Sequence, residues 1–281
     1  MNNIQKINKL TVPGANLYYE VRGSGPILLM IHGGNGDANV FYAVVDKLAE
    51  SFTVVTYDRR GHSRSKLDNP NEKYLVETHS DDAHRLLSEL TAEPAYVFGS
   101  SSGAVIGLDL AIRHPEQVRT LIPHEPPLTQ LLPEAERERA LRIMKDLEAD
   151  YTSMGALQAL GKFAASLGMG SFDDHDDHDH QVSPEQREQM VNNTKYFITN
   201  EVPAIRLYML DIDALKIALN ISATRVILAG GKTSKDHFPY HCANILADRL
   251  GVKIVDFPGN HAGYVFPQNG FAEQLSSSLV N

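Results

Sequence analysis

The chain has 281 residues, of which 42% are hydrophobic and 22% are charged, a composition typical of a globular protein with a sizeable core. Its formal net charge of −9 argues against a nucleic-acid backbone or an anionic membrane surface as its partner. The single cysteine, Cys242, excludes an internal disulfide and a paired-cysteine metal or redox site.

Short strand-like segments alternate with helical patterns over the first part of the chain. The predicted strands cover residues 17–21, 27–31, 52–57, 95–98 and 118–123. The second of these segments is apolar throughout, which is typical of a strand buried on both faces of a sheet. The helical patterns cover residues 40–48, 83–90 and 104–112. This alternation predicts an α/β fold with a mostly parallel central sheet and helices on both faces.

The alternation ends at Pro126 and Pro127, after which a long helical pattern with a charged surface contains no clear strand. Strand character returns at 225–229 and 253–257, and a helical stripe ends the sequence. The simplest organisation is one α/β core with a helical insertion. The predicted ranges are 1–127 and 221–281 for the core and 128–220 for the insertion.

A G-x-S-x-G pattern centred on Ser101 lies between an apolar strand and an apolar helix. A serine nucleophile needs this context because a sharp strand-to-helix turn lifts its hydroxyl above the sheet. Gly99 and Gly103 leave room for the tight crossing, and the helix N-terminus favours a developing negative charge. Ser101 is therefore the candidate nucleophile; the alternative is a Ser/Gly-rich turn without a chemical role.

A glycine-rich segment, His-Gly-Gly-Asn-Gly at 32–36, follows the first buried strand. An oxyanion hole needs a backbone N–H at this place. We expect the N–H groups of Gly34 and Ser102 to supply the two donors, although the loop has an alternative role in shaping the turn. His32 is interpreted as structural, because one general base is enough.

His261 lies in the segment Phe-Pro-Gly-Asn-His-Ala-Gly, directly after the last predicted strand. A histidine there can return to the same edge of the sheet as Ser101. With 12 histidines in the chain, one alone carries little weight. Together with the serine and glycine segments, His261 becomes the leading general base.

In their order and combination these segments resemble the α/β-hydrolase family, specifically its capped branch of haloperoxidase-like esterases, lactone hydrolases and haloalkane dehalogenases. The resemblance rests on HGG at 32–34, YDRRGHS at 57–63, GSSSG at 99–103 and GNHAGY at 260–264. The insertion stands where this family carries its helical cap. The resemblance implies that the 58–63 segment is structural, with Gly61 in the turn and Arg60 paired locally.

The resemblance implies a serine hydrolase without an organic cofactor or a metal. Ser101 attacks the carbonyl of an ester, lactone or thioester, and His261 takes its proton. The N–H groups of Gly34 and Ser102 bind the oxyanion. A serine nucleophile speaks against dehalogenase and epoxide hydrolase chemistry, which this branch performs with aspartate. The alternatives are a C–C bond hydrolase or perhydrolase on the same triad, and a non-catalytic receptor.

The triad acid departs from the usual family pattern, which is G-x-x-D after the strand at 225–229. Here that slot holds Thr233 and Ser234, and Asp236 lies beyond it. Some members carry the acid after the preceding core strand, where this chain has Glu125. We favour Glu125 because it directly follows a predicted strand and the two prolines after it stiffen the chain. Asp236 is the alternative.

The insertion contains an Asp/His tract at 173–180 that has the composition of a metal-binding segment. A solvated loop is the favoured interpretation, because no packing residue fixes a ligand geometry. Four larger insertion residues either line a pocket or pack a core, with packing favoured: Phe163, Met169, Phe197 and Tyr208. Without a transmembrane-length apolar run or a signal-peptide pattern, we expect a cytoplasmic enzyme that acts on a small molecule.

Overall fold

The computed structural model describes residues 4–170, 183–265 and 270–280. Within these ranges nine strands form one sheet. The strands are β1 (Ile4–Val12), β2 (Ala15–Arg22), β3 (Ile27–Ile31), β4 (Thr53–Tyr57), β5 (Ala95–Ser100), β6 (Val118–His124), β7 (Arg225–Val226), β8 (Ala229–Gly231) and β9 (Val255–Phe257). Their order across the sheet is β1-β2-β4-β3-β5-β6-β8-β9, with β7 beside β6. The β1–β2 and β2–β4 pairs are antiparallel and the others are parallel.

The helices are α1 (Tyr42–Leu48), α2 (Val76–Leu90), α3 (Ser102–Arg113), α4 (Glu134–Met154), α5 (Ala156–Ser166), α6 (Pro184–Tyr196), α7 (Val202–Leu207), α8 (Ile212–Ser222), α9 (Phe238–Leu250) and α10 (Phe271–Val280). A π-helical turn, Phe197–Glu201, joins α6 to α7. Helices α4 to α8 lie between β6 and β7 and occupy the predicted insertion, except that α8 ends two residues after the predicted end of the insertion at 220. The boundaries of the insertion stay a prediction. In the part of the chain that the structure describes, no helix is long and apolar enough to cross a membrane.

Both faces of the sheet are covered, as the apolar strands predict. Side chains that alternate along β3 enter two separate apolar clusters, because successive strand residues point to opposite faces. Leu28 packs with residues of α1 and α10, whereas Leu29 packs with residues of α2 and α3. The prediction of an α/β fold with a mostly parallel, helix-covered sheet is confirmed.

Two strand predictions differ from the structure. Strand β1 was not predicted, because its lysine and asparagine side chains are exposed at the edge of the sheet and leave only a weak apolar alternation. The predicted strand at 225–229 is divided into β7 and β8. The first part pairs with Thr120 and Leu121 in β6, and the second pairs with His124 further along the same strand.

The loops that carry the predicted site follow neighbouring strands. Strands β3, β5, β6, β8 and β9 are parallel in this part of the sheet, so their carboxyl ends lie on the same edge. Gly34 follows β3, Ser101 follows β5, Glu125 follows β6 and His261 follows β9. This edge is where ligands commonly bind in open α/β sheets.

Candidate active site

Ser101 lies in a sharp turn between β5 and α3. Its backbone has φ 55° and ψ −122°, a left-handed conformation that is uncommon for a residue with a side chain. A Cβ atom on Gly99 would lie 2.3 Å from the Gly103 carbonyl oxygen, and one on Gly103 would lie 2.3 Å from that of Ile31. Both positions therefore need glycine for β3, β5 and α3 to approach so closely. Strain of this kind is often retained at functional sites.

Two backbone N–H groups next to Ser101 are free. Among the residues that the structure describes, neither the N–H of Gly34 nor that of Ser102 has a hydrogen-bond acceptor. Ser102 is the first residue of α3, where N–H groups have no partner inside the helix. A Cβ atom on Gly33 would lie 3.1 Å from the Ser101 Cβ, so the glycine-rich loop contacts the serine. The arrangement offers two donors to an oxygen that becomes negative beside Ser101.

Glu125 and His261 form a buried pair. His261 Nδ1 lies 2.5 Å from Glu125 Oε2, and the exposed fractions of the two side chains are 8% and 0%. Burial alone raises the pKa of the Glu125 carboxyl, but the hydrogen bond and charge of His261 outweigh it and lower this pKa to about 2. Glu125 is therefore ionised at neutral pH and orients the imidazole. Among the described residues, Nε2 of this ring has no hydrogen-bond partner.

Backbone and side-chain donors hold the Glu125 carboxylate. The Glu125 N–H donates to the Ala229 carbonyl at 3.0 Å, and its own backbone has φ 49°. Its Oε1 accepts hydrogen bonds from the Gly231 N–H at 2.7 Å and from the Ser234 hydroxyl. Ser234 occupies the slot in which the family usually places its acid, so here that slot supports an acid from the neighbouring strand.

The sequence places Ser234 in the acid slot but does not by itself indicate this supporting role. A serine at the G-x-x-D position together with a glutamate after β6 is the signal that finds it. Asp236, the alternative acid, is exposed and is not a hydrogen-bond partner of His261 in the described part of the chain. The geometry therefore favours Glu125 over Asp236.

His124, which immediately precedes Glu125, is fully buried. Burial lowers its pKa to about 4, so the ring is neutral at physiological pH. Neither ring nitrogen has a hydrogen-bond partner among the described residues, and the ring packs against Phe98, Phe257 and Phe271. His124 therefore does not hydrogen-bond to Glu125, although the two residues are adjacent.

His32, for which the sequence predicts a structural role, forms hydrogen bonds through both ring nitrogens. Its Nε2 accepts a hydrogen bond from the Arg59 N–H at 3.1 Å, and its Nδ1 lies 2.8 Å from the Gly33 carbonyl oxygen. Burial, followed by the nearby charge of Arg59, holds the pKa of His32 well below 6.5. A neutral imidazole with its proton on Nδ1 satisfies both bonds.

A cavity of about 30 Å³ lies beside Ser101, under the insertion. Apart from two serines, its lining is apolar: Ser101, Ser102, Pro127, Met144, Phe163, Leu167, Phe197, Val202, Ile205, Phe238 and Pro239. The sequence favoured packing roles for Phe163, Phe197 and Tyr208, and all three pack against the core. Phe163 and Phe197 also line the cavity, and the Tyr208 hydroxyl donates to Asp109 at 2.9 Å. Met169 packs against the core.

The Ser101 hydroxyl makes no hydrogen bond with any residue that the structure describes. Hydrogen bonds between a nucleophile and its base are often long without substrate and shorten when substrate binds. A backbone hydrogen bond nevertheless connects the Ser101 turn to the segment that carries Glu125. The Ser101 N–H donates at 2.9 Å to the carbonyl of His124, the residue before Glu125. The structure thus brings all five predicted site residues to one edge of the sheet.

Potential metal ligands are found away from this edge. In the described ranges, one group of three, His84, His114 and Glu116, has ligand atoms within 4.8 Å of one another. His114 follows the C-terminus of α3, whereas Ser101 precedes its N-terminus, so the group lies at the opposite end of this helix. The Asp/His tract at 173–180 lies outside the described residues.

Comparisons with known proteins agree with this architecture. The "Uncharacterized hydrolase YraK" of Bacillus subtilis (strain 168) is 50% identical over 270 residues, which cover 96% of this chain and 94% of that protein. The enol-lactonase from Burkholderia xenovorans LB400 has the same fold, with a TM-score of 0.72, 19% identity and coverage of 98% of this chain and 100% of that chain. A thermophilic esterase from Thermogutta terrifontis has a TM-score of 0.73, 17% identity and 98% coverage of both chains.

The sequence profile of the alpha/beta hydrolase fold matches residues 26–194, a range that contains strands β3 to β6 and the Ser101 turn. The match spans more than half of the chain, and the relative at 50% identity covers 96% of it. The chain belongs to the α/β-hydrolase fold family.

Proposed function

We propose that the protein is a serine hydrolase that cleaves a small to medium carboxylic ester, lactone or thioester through an acyl-enzyme at Ser101. The observation that carries this proposal is the strained Ser101 turn beside two free N–H groups. A strained serine at a strand-to-helix turn is costly for a purely structural element. The same strain is useful where a hydroxyl must project toward a substrate.

In the proposed reaction, Ser101 Oγ attacks the carbonyl carbon while His261 Nε2 takes the hydroxyl proton. Glu125 stays ionised because of its low pKa and stabilises the imidazolium that forms. The N–H groups of Gly34 and Ser102 bind the oxyanion of the tetrahedral intermediate. The imidazolium then protonates the leaving group, and the acyl group remains on Ser101.

The second half of the reaction uses the same groups. His261 removes a proton from a water molecule, which attacks the acyl-enzyme and again produces an oxyanion. Collapse of this intermediate returns the proton to Ser101 and releases a carboxylic acid. Each step balances without a metal or an organic cofactor.

The apolar lining of the cavity supports a neutral, apolar acyl or alkyl group next to the reacting carbonyl. The volume of about 30 Å³ favours a short group, since larger ones require the insertion to move. Two structural neighbours are an enol-lactonase and an esterase, and the proposed ester or lactone chemistry agrees with the names of these two proteins.

Labelling with a fluorophosphonate, followed by peptide mapping, tests the nucleophile. We expect one modified serine, Ser101, and hydrolysis of p-nitrophenyl esters with a preference for short acyl chains. Ser101→Ala removes labelling and lowers kcat by about 10⁶, while the folded state, measured by circular dichroism, is retained. An adduct on another serine contradicts the assignment, and a wild-type protein that neither labels nor turns over favours a binding protein.

A further inference from the structure

The π-helical turn Phe197–Glu201 lies on the loop at 32–36, which we call the oxyanion loop. A Cβ atom on Gly34 would lie 2.4 Å from the Phe197 ring, so the ring touches the backbone of the loop. The Glu201 side chain, four residues later, is fully buried against the core. Because π-helical turns are frequent at functional sites, the contact between this turn and a proposed oxyanion donor is informative.

Arg59 joins the π-helical turn to the oxyanion loop. One nitrogen of its buried guanidinium lies 3.0 Å from each carboxylate oxygen of Glu201. The same nitrogen lies 3.3 Å from the Gly33 carbonyl oxygen and 3.0 Å from that of Gly34. Another donates to the Tyr74 hydroxyl at 2.9 Å. One arginine therefore contacts both the insertion and two successive carbonyls of the loop.

These contacts fix the peptide between Gly33 and Gly34. Besides Arg59, the Gly33 carbonyl accepts from the Gly36 N–H at 3.2 Å and from His32 Nδ1 at 2.8 Å. A trans peptide places its C=O and N–H on opposite sides. Because three donors hold the Gly33 carbonyl, they also set the direction of the Gly34 N–H.

The neighbouring arginine provides a comparison. Arg60 is also buried and forms hydrogen bonds to Asp82 at 2.6 and 2.7 Å, with further bonds to Glu72 and to the Pro13 carbonyl. None of these partners belongs to the oxyanion loop or to the insertion. The two arginines are thus adjacent, buried and ion-paired. They differ in their backbone acceptors, which are the Gly33 and Gly34 carbonyls for Arg59 and the Pro13 carbonyl for Arg60.

Stability alone is a weak reason for the Arg59–Glu201 pair. Removing two charges from water costs several kcal/mol per ion, and replacing a buried pair with apolar side chains is often neutral or stabilising. Burial raises the pKa of Glu201, but the charge of Arg59 and the nearby His62 together outweigh it and keep this pKa below its usual range. The pair is therefore charged, and its bonds to the oxyanion loop are what an apolar replacement could not supply.

We propose that Arg59 and Glu201 are positioning residues: Glu201 of the insertion holds Arg59 against the Gly33–Gly34 peptide, which keeps the Gly34 N–H directed for oxyanion binding. This inference rests on the proposed function. The arrangement couples the insertion to the oxyanion hole, because Phe197 and Val202, which line the cavity, belong to or adjoin the turn that carries Glu201.

The matched variants Arg59→Lys and Arg60→Lys test the proposal. Both keep the positive charge, but lysine lacks the planar fork that contacts several acceptors at once. For Arg59→Lys we expect kcat to fall about 10- to 100-fold with KM within about threefold, since losing one oxyanion donor costs about 10²- to 10³-fold. Affinity for an alkyl boronic acid, which forms a tetrahedral adduct with a serine, falls by a similar factor. Arg60→Lys leaves kcat and boronate affinity within about twofold of wild type.

Glu201→Gln and Asp82→Asn form a second matched pair that removes the acidic partner of each arginine. We expect both to lower the melting temperature, because Glu201→Gln removes the carboxylate paired with Arg59 and Asp82→Asn leaves Arg60 with Glu72 as its carboxylate partner. Only Glu201→Gln lowers kcat and boronate affinity. Equal losses of kcat in the two members of either pair, or unchanged kcat in both Arg59→Lys and Glu201→Gln, overturn the proposal.

The amide resonance of Gly34 in protein labelled with ¹⁵N-glycine separates this inference from the proposed function. We expect its chemical shift to move in Arg59→Lys and Glu201→Gln and to stay in place in Arg60→Lys and Asp82→Asn, whether or not the protein turns over an ester. Wild-type protein without fluorophosphonate reactivity contradicts the proposed function. An unmoved Gly34 resonance in a reactive enzyme contradicts the positioning role alone.

Discussion

The two sides of the candidate site are built in different ways. On the core side, Ser101, Glu125 and His261 follow strand ends, and hydrogen bonds to the backbone or close glycine contacts hold them. On the insertion side, helices and the π-helical turn supply apolar side chains that surround a small cavity. Chemistry therefore depends on a fixed backbone, whereas substrate choice depends on exchangeable side chains. Core variants, and Glu201→Gln through its contact with Arg59, should slow every substrate. Variants of the insertion side chains that line the cavity should change the order of preference among substrates.

On the core side, apart from the nucleophile itself, we expect the greatest loss of activity from a change of the triad acid, Glu125. Glu125→Gln lowers kcat by several thousandfold, because a neutral amide neither stabilises the imidazolium nor fixes the His261 tautomer; about 10⁴-fold is typical of such a change. Asp236→Asn, at an exposed position, leaves kcat within about twofold. Steady-state kinetics on one ester measures both. The reverse pattern would restore the family's usual position for the acid and refute the choice of Glu125.

Stability at low pH tests how strongly the core side holds this carboxylate. The pKa of Glu125 is lowered from 4.5 in the unfolded chain to about 2 in the folded protein. Its stabilising contribution is therefore complete above pH 4.5 and is lost as the pH falls through 2, which amounts to about 3 kcal/mol. Urea unfolding at a series of pH values measures the free energy of unfolding. In wild type and Asp236→Asn, the free energy of unfolding should fall by this amount between pH 4.5 and pH 2. In Glu125→Gln, this contribution to the pH dependence should be missing.

The insertion side is tested by enlarging the cavity. Ile205→Ala removes a buried cavity-lining side chain, so a longer acyl chain finds room. Each buried methylene contributes about 0.8 kcal/mol. For an ester whose acyl chain is two carbons longer, the kcat/KM of Ile205→Ala should therefore be about tenfold higher than that of wild type. A panel of p-nitrophenyl esters measures the preference. Leu215→Ala, at a buried position of α8 outside the cavity lining, is the control and should lower stability without changing the preferred chain length. An unchanged profile in Ile205→Ala would place the acyl group elsewhere.

The same division explains what the sequence could predict. Strands β2 to β6 and the glycines around Ser101 were predictable because apolar periodicity and the G-x-S-x-G pattern are local. The insertion boundaries and the catalytic roles stay predictions. The support of Glu125 by Ser234 and the pairing of Arg59 with Glu201 were not predicted, because these partners are 109 and 142 residues apart. No local spacing marks such pairs, since the pairing of β6 with β8 brings Ser234 to Glu125 and the packing of the insertion on the core brings Glu201 to Arg59.

The smallest expected effect concerns the Asp/His tract at 173–180, which lies outside the described residues. The proposed reaction moves every proton through His261, and the tract contains no packing residue to fix a ligand geometry. Treatment with EDTA, or replacement of His175, His178 and His180 with serine, should therefore leave kcat within about twofold of wild type. The same replacement at His84 and His114 controls for the loss of histidines as such. A loss of activity that one equivalent of a divalent ion restores in the EDTA-treated wild type, but not in the tract variant, would show that the tract belongs to the catalytic machinery and that the division between core chemistry and insertion selectivity fails there.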